Sequence, residues 1–338
     1  MKYCRFIFTF CLTIMLLIAC SDDDNDSVFI PFTFDNPKNK IMFFSSNWGT
    51  DSINITDDIL SYDDGSTATT RIISGALTTI NNPDIDSITV DKNRSILYLT
   101  DAGTGNIIVY EDIQSIAGDI APDRTISVSG ESSLEGIAID SARDILYVSG
   151  SSSSIWIFKN ASTLDGTLTP DAILSYDVMS IFIDETNNRL YAGAYYGAGN
   201  AIYVFDSASS LNTGATADRT ITFLDNFDPT GLWVDSKTNR LYTCNNSSST
   251  GGNYLFIYED ASTMDGTSDP DTDSVARIGE ESISLMVDSK NNLYAWPDSA
   301  TYVRIYSNAS SLTGDISAAD KTINGVVARG YGMDYLAY

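Results

Sequence analysis

The strongest constraint on the fold is an internal repeat that runs through almost the whole chain. In each copy a strand of alternating apolar residues ends in an aspartate, a polar turn follows, and a second strand carries Leu-Tyr or its equivalent. The copies are ITVDKNRSILYLT (88–100), IAIDSARDILYVS (137–149), IFIDETNNRLYAG (181–193), LWVDSKTNRLYTC (232–244), LMVDSKNNLYAW (285–296) and, in degenerate form, FTFDNPKNKIMFF (32–44). Each copy predicts a β-hairpin.

Two further strands complete each repeat. A third apolar strand such as NIIVYED or SIWIFKN is followed by a longer loop with Ala-Ser-x-Leu-x-Gly or a variant, and then by a last strand such as DRTISV. The repeated aspartates stand 44 to 56 residues apart, without helical periodicity between them. Four short strands in a repeat of this length predict one blade of a β-propeller.

Both ends of the repeat region carry an extra innermost strand. The tail GYGMDYLAY (330–338) matches such a strand, and so does FIPFTF (29–34) at the front. We expect one of them to close the ring by completing a blade whose other strands come from the opposite end of the chain. The predicted fold is therefore all-β, a six-bladed β-propeller of four-stranded antiparallel blades over residues 29–338, with seven blades as the alternative.

Features that recur in every copy are predicted to be structural. An aspartate at a strand end is expected to bind the backbone of the following turn, and the repeated aromatic residues are expected to pack between blades. Small residues four positions before the aspartates predict close approach of the inner strands around the axis. These small residues are Ser87, Gly136, Ser180, Gly231, Ser284 and Gly330.

The first twenty residues have the layout of a secretory signal. A short basic start is followed by an apolar stretch from Phe6 to Ile18, which is shorter than the ~20 residues of a membrane-spanning helix. The stretch ends in Leu-Ile-Ala-Cys, which resembles the bacterial lipobox. That resemblance implies a signal peptide over residues 1–19 and a lipid attached to Cys20, which would hold the mature protein on a membrane.

An acidic tether follows, over residues 20–28. Its run from Ser21 to Asp26 resembles the export signal of Bacteroidetes lipoproteins that are carried to the outside of the outer membrane. The resemblance predicts an outer membrane lipoprotein that faces the cell exterior, and a plain charged linker remains the alternative.

Composition excludes several function classes. Without residues 1–19 the chain keeps 17 Lys and Arg against 45 Asp and Glu, a net charge of −28, so nucleic acid is not expected as a partner. Histidine is absent, which excludes His-based triads and the usual zinc sites. Cys244 would be the remaining thiol besides Cys20, and we expect it to be buried in the core.

The repeat GIAID, LYV, IWIF and ASTLDG resembles the NHL-type propeller repeats of secreted bacterial proteins, over about residues 29–338. Such propellers include lyases, lactone hydrolases and many binding proteins, so the resemblance implies the fold rather than one activity. The lyases of that family use histidines, which this chain lacks. Its calcium-dependent lactonases use carboxylates and asparagines at the channel mouth, without a residue-by-residue match here.

Unrepeated loop residues are the better candidates for a site. In a propeller, the loops between second and third strands share a face with the loops between blades, and here they combine carboxylates, amides and aromatic rings. This mixture suits a sugar or a protein partner, with a solvated acidic rim as the plain alternative. The candidate ligand-binding residues are Asp86, Glu135, Asp177, Tyr195, Tyr196, Asp228, Asn245, Trp296 and Arg329.

Three functions are compatible with these residues. The first is a surface protein that binds a glycan or protein partner, and the second is a scaffold subunit of an envelope complex. The third is a calcium-dependent hydrolase or lactonase with Ca²⁺ held by Asp86, Glu135 and Asp228. Without histidine, binding and scaffolding are favoured over catalysis, and no residue is assigned a catalytic role.

Overall fold

The computed structural model describes residues 40–47, 49–83, 87–194, 199–224, 227–245, 254–279, 282–297, 300–326 and 330–338. Within these ranges the regular secondary structure is almost all strand. The strands are β1 (Ile41–Asn47), β2 (Ser52–Thr56), β3 (Arg71–Ile73), β4 (Ile88–Asp91), β5 (Ile96–Asp101), β6 (Asn106–Tyr110), β7 (Arg124–Val128), β8 (Leu134–Asp140), β9 (Ile145–Gly150), β10 (Ser154–Lys159), β11 (Gly166–Leu168), β12 (Ala172–Leu174), β13 (Val178–Asp184), β14 (Arg189–Ala194), β15 (Ala201–Asp206), β16 (Arg219–Phe223), β17 (Pro229–Asp235), β18 (Arg240–Asn245), β19 (Leu255–Tyr258), β20 (Gly266–Ser268), β21 (Ala276–Ile278), β22 (Ser282–Val287), β23 (Asn292–Pro297), β24 (Tyr302–Ser307), β25 (Gly314–Ile316), β26 (Lys321–Asn324) and β27 (Gly330–Ala337).

The helical elements of the described ranges are short. One α-helix, α1, spans Pro270–Asp273, and 3₁₀ turns span Ile59–Ser61, Ala161–Thr163, Ala208–Ser210 and Ala309–Ser311. None of the helices in these ranges has the length and apolar character needed to cross a membrane.

Six four-stranded antiparallel blades form the propeller, as the repeat predicts. From the axis outwards, blades 1 to 6 are β27-β1-β2-β3, β4-β5-β6-β7, β8-β9-β10-β12, β13-β14-β15-β16, β17-β18-β19-β21 and β22-β23-β24-β26. The first strand of each blade contacts the first strands of both neighbouring blades, which closes a ring around the axis.

Each blade is apolar on both faces because it is covered by a blade on either side. Six hydrophobic clusters fill the six spaces between neighbouring blades. The repeated aromatic residues lie in these clusters and are almost completely buried, as expected. Cys244 is a buried free thiol in the cluster between blades 5 and 6.

The tail of the chain closes the ring. β27 is the innermost strand of blade 1 and pairs antiparallel with β1, which comes from the front of the chain. Lys40 and Tyr338 extend this pairing, and each backbone N–H donates to the carbonyl of the other at 3.1 Å. Of the two predicted closing segments, the tail therefore takes the place beside β1, and residues 29–34 lie outside the described residues.

The inner strands approach each other closely where the sequence has small residues. A Cβ atom on Gly136 would lie 2.5 Å from the carbonyl oxygen of Met179 in the next blade. The Ser180 hydroxyl donates to the carbonyl of Pro229 at 2.7 Å, and the Ser46 and Ser87 hydroxyls lie 2.7 Å apart. A larger side chain at Gly136 would push two blades apart.

The hairpin aspartates of blades 2 to 6 bind turn backbone, as predicted. Asp91 accepts from the N–H groups of Asn93 and Arg94, Asp140 from that of Arg143, and Asp184 from that of Asn187. Asp235 and Asp288 make the same kind of bond at 2.8–2.9 Å.

The Ala-Ser-x-Leu-x-Gly segment is more than a loop, because it fastens each blade to the one before it. Three of these segments contain a short strand that adds in parallel to the outer strand of the preceding blade: β11 on β7, β20 on β16 and β25 on β21. At the other three blade boundaries isolated β-bridges or backbone hydrogen bonds replace the strand, at Thr67, Gly118 and Gly214. We call these six contacts the outer clasps.

Residue types in the segment explain how a clasp forms. Asp265 accepts from the backbone N–H of Thr220 in the preceding blade at 3.0 Å and from that of Gly266 at 2.9 Å. Gly266 has φ +75°, a left-handed conformation that favours glycine. The Arg219 guanidinium donates to the Met264 carbonyl at 2.9 Å, so this carbonyl of the segment has a hydrogen-bond donor.

Candidate functional site

The propeller has two faces, and the chain direction defines them. The turn face carries the hairpin turns 92–95, 141–144, 185–188, 236–239 and 289–291, which join the first and second strands of blades 2 to 6. The loop face is the opposite end of the ring, where second strands lead to third strands and one blade leads to the next. The sequence predicts that all of its candidate residues lie on or near the loop face.

Two of these candidates meet on the loop face. The backbone N–H of Asp228, just before β17, donates to the Asn245 side-chain oxygen at 3.0 Å at the end of β18. Asp228 is half-buried and Asn245 is 5% exposed. Burial raises the pKa of the Asp228 carboxyl, and no described Lys or Arg forms an ion pair with it.

Two other candidates lie at the start of inner strands. Asp177 is half-buried and lies just before β13. The pKa of the Tyr203 hydroxyl is raised, first by burial and then by the nearby Tyr176 and Asp177. Glu135 lies in β8 and is 8% exposed, and its backbone carbonyl accepts from the Thr100 hydroxyl of blade 2.

Trp296 lies in the core. It belongs to β23 and is 0% exposed, packed in the cluster between blades 6 and 1, and its indole N–H donates to the Ala300 carbonyl at 3.1 Å. The Trp296 indole therefore does not reach the loop-face surface, and neither of its faces is open to a ligand.

The remaining candidates, Asp86, Tyr195, Tyr196 and Arg329, lie outside the described residues. Asp86 belongs to the predicted calcium set with Glu135 and Asp228. Across the part of the chain that the structure describes, no three or more Cys, Asp or Glu side chains form a group suited to a metal ion. Calcium binding therefore stays a prediction that depends on Asp86.

Loop-face acids also hold the backbone of that face. The buried Asp101 carboxylate, at the end of β5, accepts from the N–H groups of Asn81, Gly103 and Thr104 at 2.5–3.2 Å. Burial raises the pKa of the Asp101 carboxyl to about 6, although these hydrogen bonds act in the opposite direction. Asp101 thus fixes the connection between blades 1 and 2.

The axis of the ring contains a cavity at the turn face, which the sequence did not predict. Its volume is about 580 Å³, and residues of all six inner strands line it. In each of blades 2 to 5 it is lined by the three inner-strand residues that come directly before the hairpin aspartate. We call this space the turn-face cavity.

One side of the turn-face cavity is aromatic and the other side is small. The rings of Phe182 and Trp233 lie 4.8 Å apart, and those of Trp233 and Tyr335 lie 6.2 Å apart. Thr89 and Ala138 line the opposite side from blades 2 and 3. The open space of the turn-face cavity therefore lies beside a row of aromatic rings.

Lys92 is the first residue after the hairpin aspartate of blade 2 and reaches into this cavity. Its ammonium nitrogen lies 4.0 Å from the Tyr335 ring centre, 5.3 Å from the Trp233 ring centre and 3.3 Å from an Asp334 carboxylate oxygen. Burial acts to lower the pKa of Lys92, but Asp334 and other acids outweigh it and leave the pKa raised. The protein's own cation thus occupies the space above the two rings.

Asp334 differs from the other hairpin aspartates because its strand, β27, continues past it to Ala337. Its carboxylate accepts instead from the backbone N–H of Val90 in blade 2 at 2.7 Å and from that of Tyr335 at 2.7 Å. Together with Lys92, Asp334 joins the closing strand to the next blade at the cavity wall.

No protein-family model matches the chain, and no curated protein sequence matches it. Function is therefore inferred from the propeller and from the residues of its two faces.

Proposed function

We propose that the mature chain is a lipid-anchored binding protein of the cell exterior, with the lipid on Cys20 and a propeller that binds a glycan or protein partner through its loop face. A scaffold role in an envelope complex would use the same face. The six-bladed ring supports this proposal because it holds many separate loops in fixed positions around one axis.

The position of the chain entry supports display of the loop face. Lys40 enters the ring at the turn face, paired with Tyr338, and β1 then runs towards the loop face. A tether from Cys20 would therefore join the ring at its turn face. Lys40 is the first described residue, and the loop face is the end of the ring opposite to it.

The pair of Asp228 and Asn245 carries the proposal for the binding face. A half-buried carboxylate with a raised pKa and no described cationic partner is a common feature of ligand sites. A sugar hydroxyl or a peptide N–H would donate to this carboxylate. The Asn245 side-chain oxygen accepts from the Asp228 N–H and so holds the Asp228 backbone in a fixed position.

The test is binding by the mature lipoprotein purified in detergent. We expect retention of a defined glycan on an array or of a defined partner in a pull-down, with at least a tenfold loss of affinity in Asp228→Asn. Asp63→Asn, an exposed acid on an outer segment of blade 1, is the matched control and should bind like the wild type. Binding that is equal in Asp228→Asn and wild type would contradict the proposal.

A further inference from the structure

We infer that the turn-face cavity is a second binding site and that its ligand is a neutral saccharide of one or two rings. The site lies at the opposite end of the ring from Asp228 and Asn245 and does not depend on ligand binding by the loop face. Its volume of about 580 Å³ falls within the range of ~300–1,000 Å³ that small-molecule sites usually have.

The aromatic residues of the cavity are not required by the repeat. Two positions before the hairpin aspartate, blades 2 and 3 have Thr89 and Ala138, whereas blades 4 and 5 have Phe182 and Trp233. All four side chains line the cavity, so the same position is filled by small residues on one side and by large rings on the other. Phe182 and Trp233 also pack against the hydrophobic clusters between blades, but the repeat does not require a large ring at this position, which makes these two rings candidates for recognition.

Phe182 and Trp233 also remain partly exposed, unlike the core aromatics of the blades. Lys92 lies 5.3 Å from the Trp233 ring centre, so the apolar surface left to a ligand is the part of the two rings that Lys92 does not cover. The C–H face of a sugar ring suits such a surface, because it is apolar and flat while the hydroxyl groups point to the sides.

Polar groups stand where those hydroxyls would be. Glu185 is half-buried at the mouth, and one of its oxygens accepts from the Ser141 N–H at 3.1 Å, which leaves acceptor capacity on the carboxylate. Burial raises the pKa of Glu185. The Lys92 ammonium has three donors, of which Asp334 takes one, so donors and acceptors flank the aromatic row.

Charge selects a neutral ligand. A cation is disfavoured because Lys92 already lies above the Tyr335 and Trp233 rings. An anion is disfavoured because the lining contains five acids and two lysines. The acids are Asp184, Glu185, Asp235, Asp288 and Asp334, and the lysines are Lys92 and Lys237.

Saturation-transfer NMR on the mature lipoprotein tests this inference, with maltose, cellobiose and N-acetylglucosamine as neutral probes and glucosamine and glucuronate as charged probes. We expect transfer to the C–H protons of at least one neutral probe and at least tenfold weaker binding of both charged probes. No transfer to any neutral probe, or equal binding of glucosamine, would overturn the inference.

Trp233→Met is the decisive variant, because the repeat itself has Met286 at the equivalent position in blade 6, where it packs in the core. We expect a tenfold or greater loss of saccharide affinity with unchanged circular dichroism. Asp228→Asn should leave this binding unchanged, which separates the site from the loop face. Saccharide binding that survives Trp233→Met, or that is lost in Asp228→Asn, would overturn the assignment to the cavity.

Discussion

A disulfide between positions 40 and 338 would lock the ring at its closing blade. Lys40 and Tyr338 exchange both backbone hydrogen bonds, at 3.1 Å each, and such antiparallel pairs have Cα atoms about 5.5 Å apart. This separation suits a disulfide, so we expect Lys40→Cys/Tyr338→Cys to oxidise in the folded protein without distortion. Cys244 is buried and should not interfere.

The expected stabilisation follows from the size of the closed loop. A cross-link over about 300 residues removes chain entropy worth about 6 kcal/mol in the unfolded state, and engineered disulfides usually contribute about 2–4 kcal/mol. Urea unfolding of the oxidised and reduced double variant measures this difference directly.

The matched control pairs Lys40→Cys with Thr186→Cys, an exposed turn-face position in blade 4 on the far side of the ring. This control should form no intramolecular disulfide under native conditions. Failure of the 40/338 pair to oxidise, or oxidation that destabilises the protein, would refute closure of blade 1 by the tail.

Three further predictions concern single residues. The raised pKa of Asp101, about 6, means that the folded state holds the proton more tightly than the unfolded state, so the wild type should lose stability as the pH rises from about 4 to about 6, and Asp101→Asn should remove this loss. Urea unfolding should show that the wild type loses up to about 3 kcal/mol more than the variant between pH 4 and pH 7. Parallel pH profiles of the two proteins would contradict this. Gly266→Ala should cost about 1–2 kcal/mol because φ is +75° there while no atom lies within 4 Å of the added Cβ, and a thermal midpoint equal to that of the wild type would argue against strain in the clasp. Lys92→Met should let tetramethylammonium bind above Tyr335 and Trp233, beside Asp334, as followed by NMR line broadening; binding of the same strength to the wild type would contradict occupation of this space by Lys92.

The sequence was sufficient for the blades because their signal is periodic. Hairpin aspartates, small inner residues and buried tyrosines recur with each blade, and each has one local physical role. The outer clasps were missed because they rest on pairings of a few residues between blades, which leave no alternation of apolar and polar residues. The recurring Asp-Gly with a left-handed glycine was their available signal, as at Asp265 and Gly266.

The candidate site was harder to predict because loop composition does not show which way a side chain points. Trp296 follows the pattern of a loop aromatic in the sequence, yet strand alternation in β23 turns it into the core. The turn-face cavity depends on side chains inside the repeat, where a departure from the usual residue type is the signal. Comparison of Thr89, Ala138, Phe182 and Trp233 across the blades would have found it.

Labelling of intact cells tests most directly whether the propeller is lipid-anchored on the cell exterior. Ser132 is exposed on the loop face, and Ser132→Cys provides an accessible thiol there, whereas Cys244 is buried. We predict that a membrane-impermeant maleimide labels Ser132→Cys on intact cells and that labelling is lost when Cys20→Ala is added. Labelling that appears only after lysis, or that is unchanged by Cys20→Ala, would contradict the account.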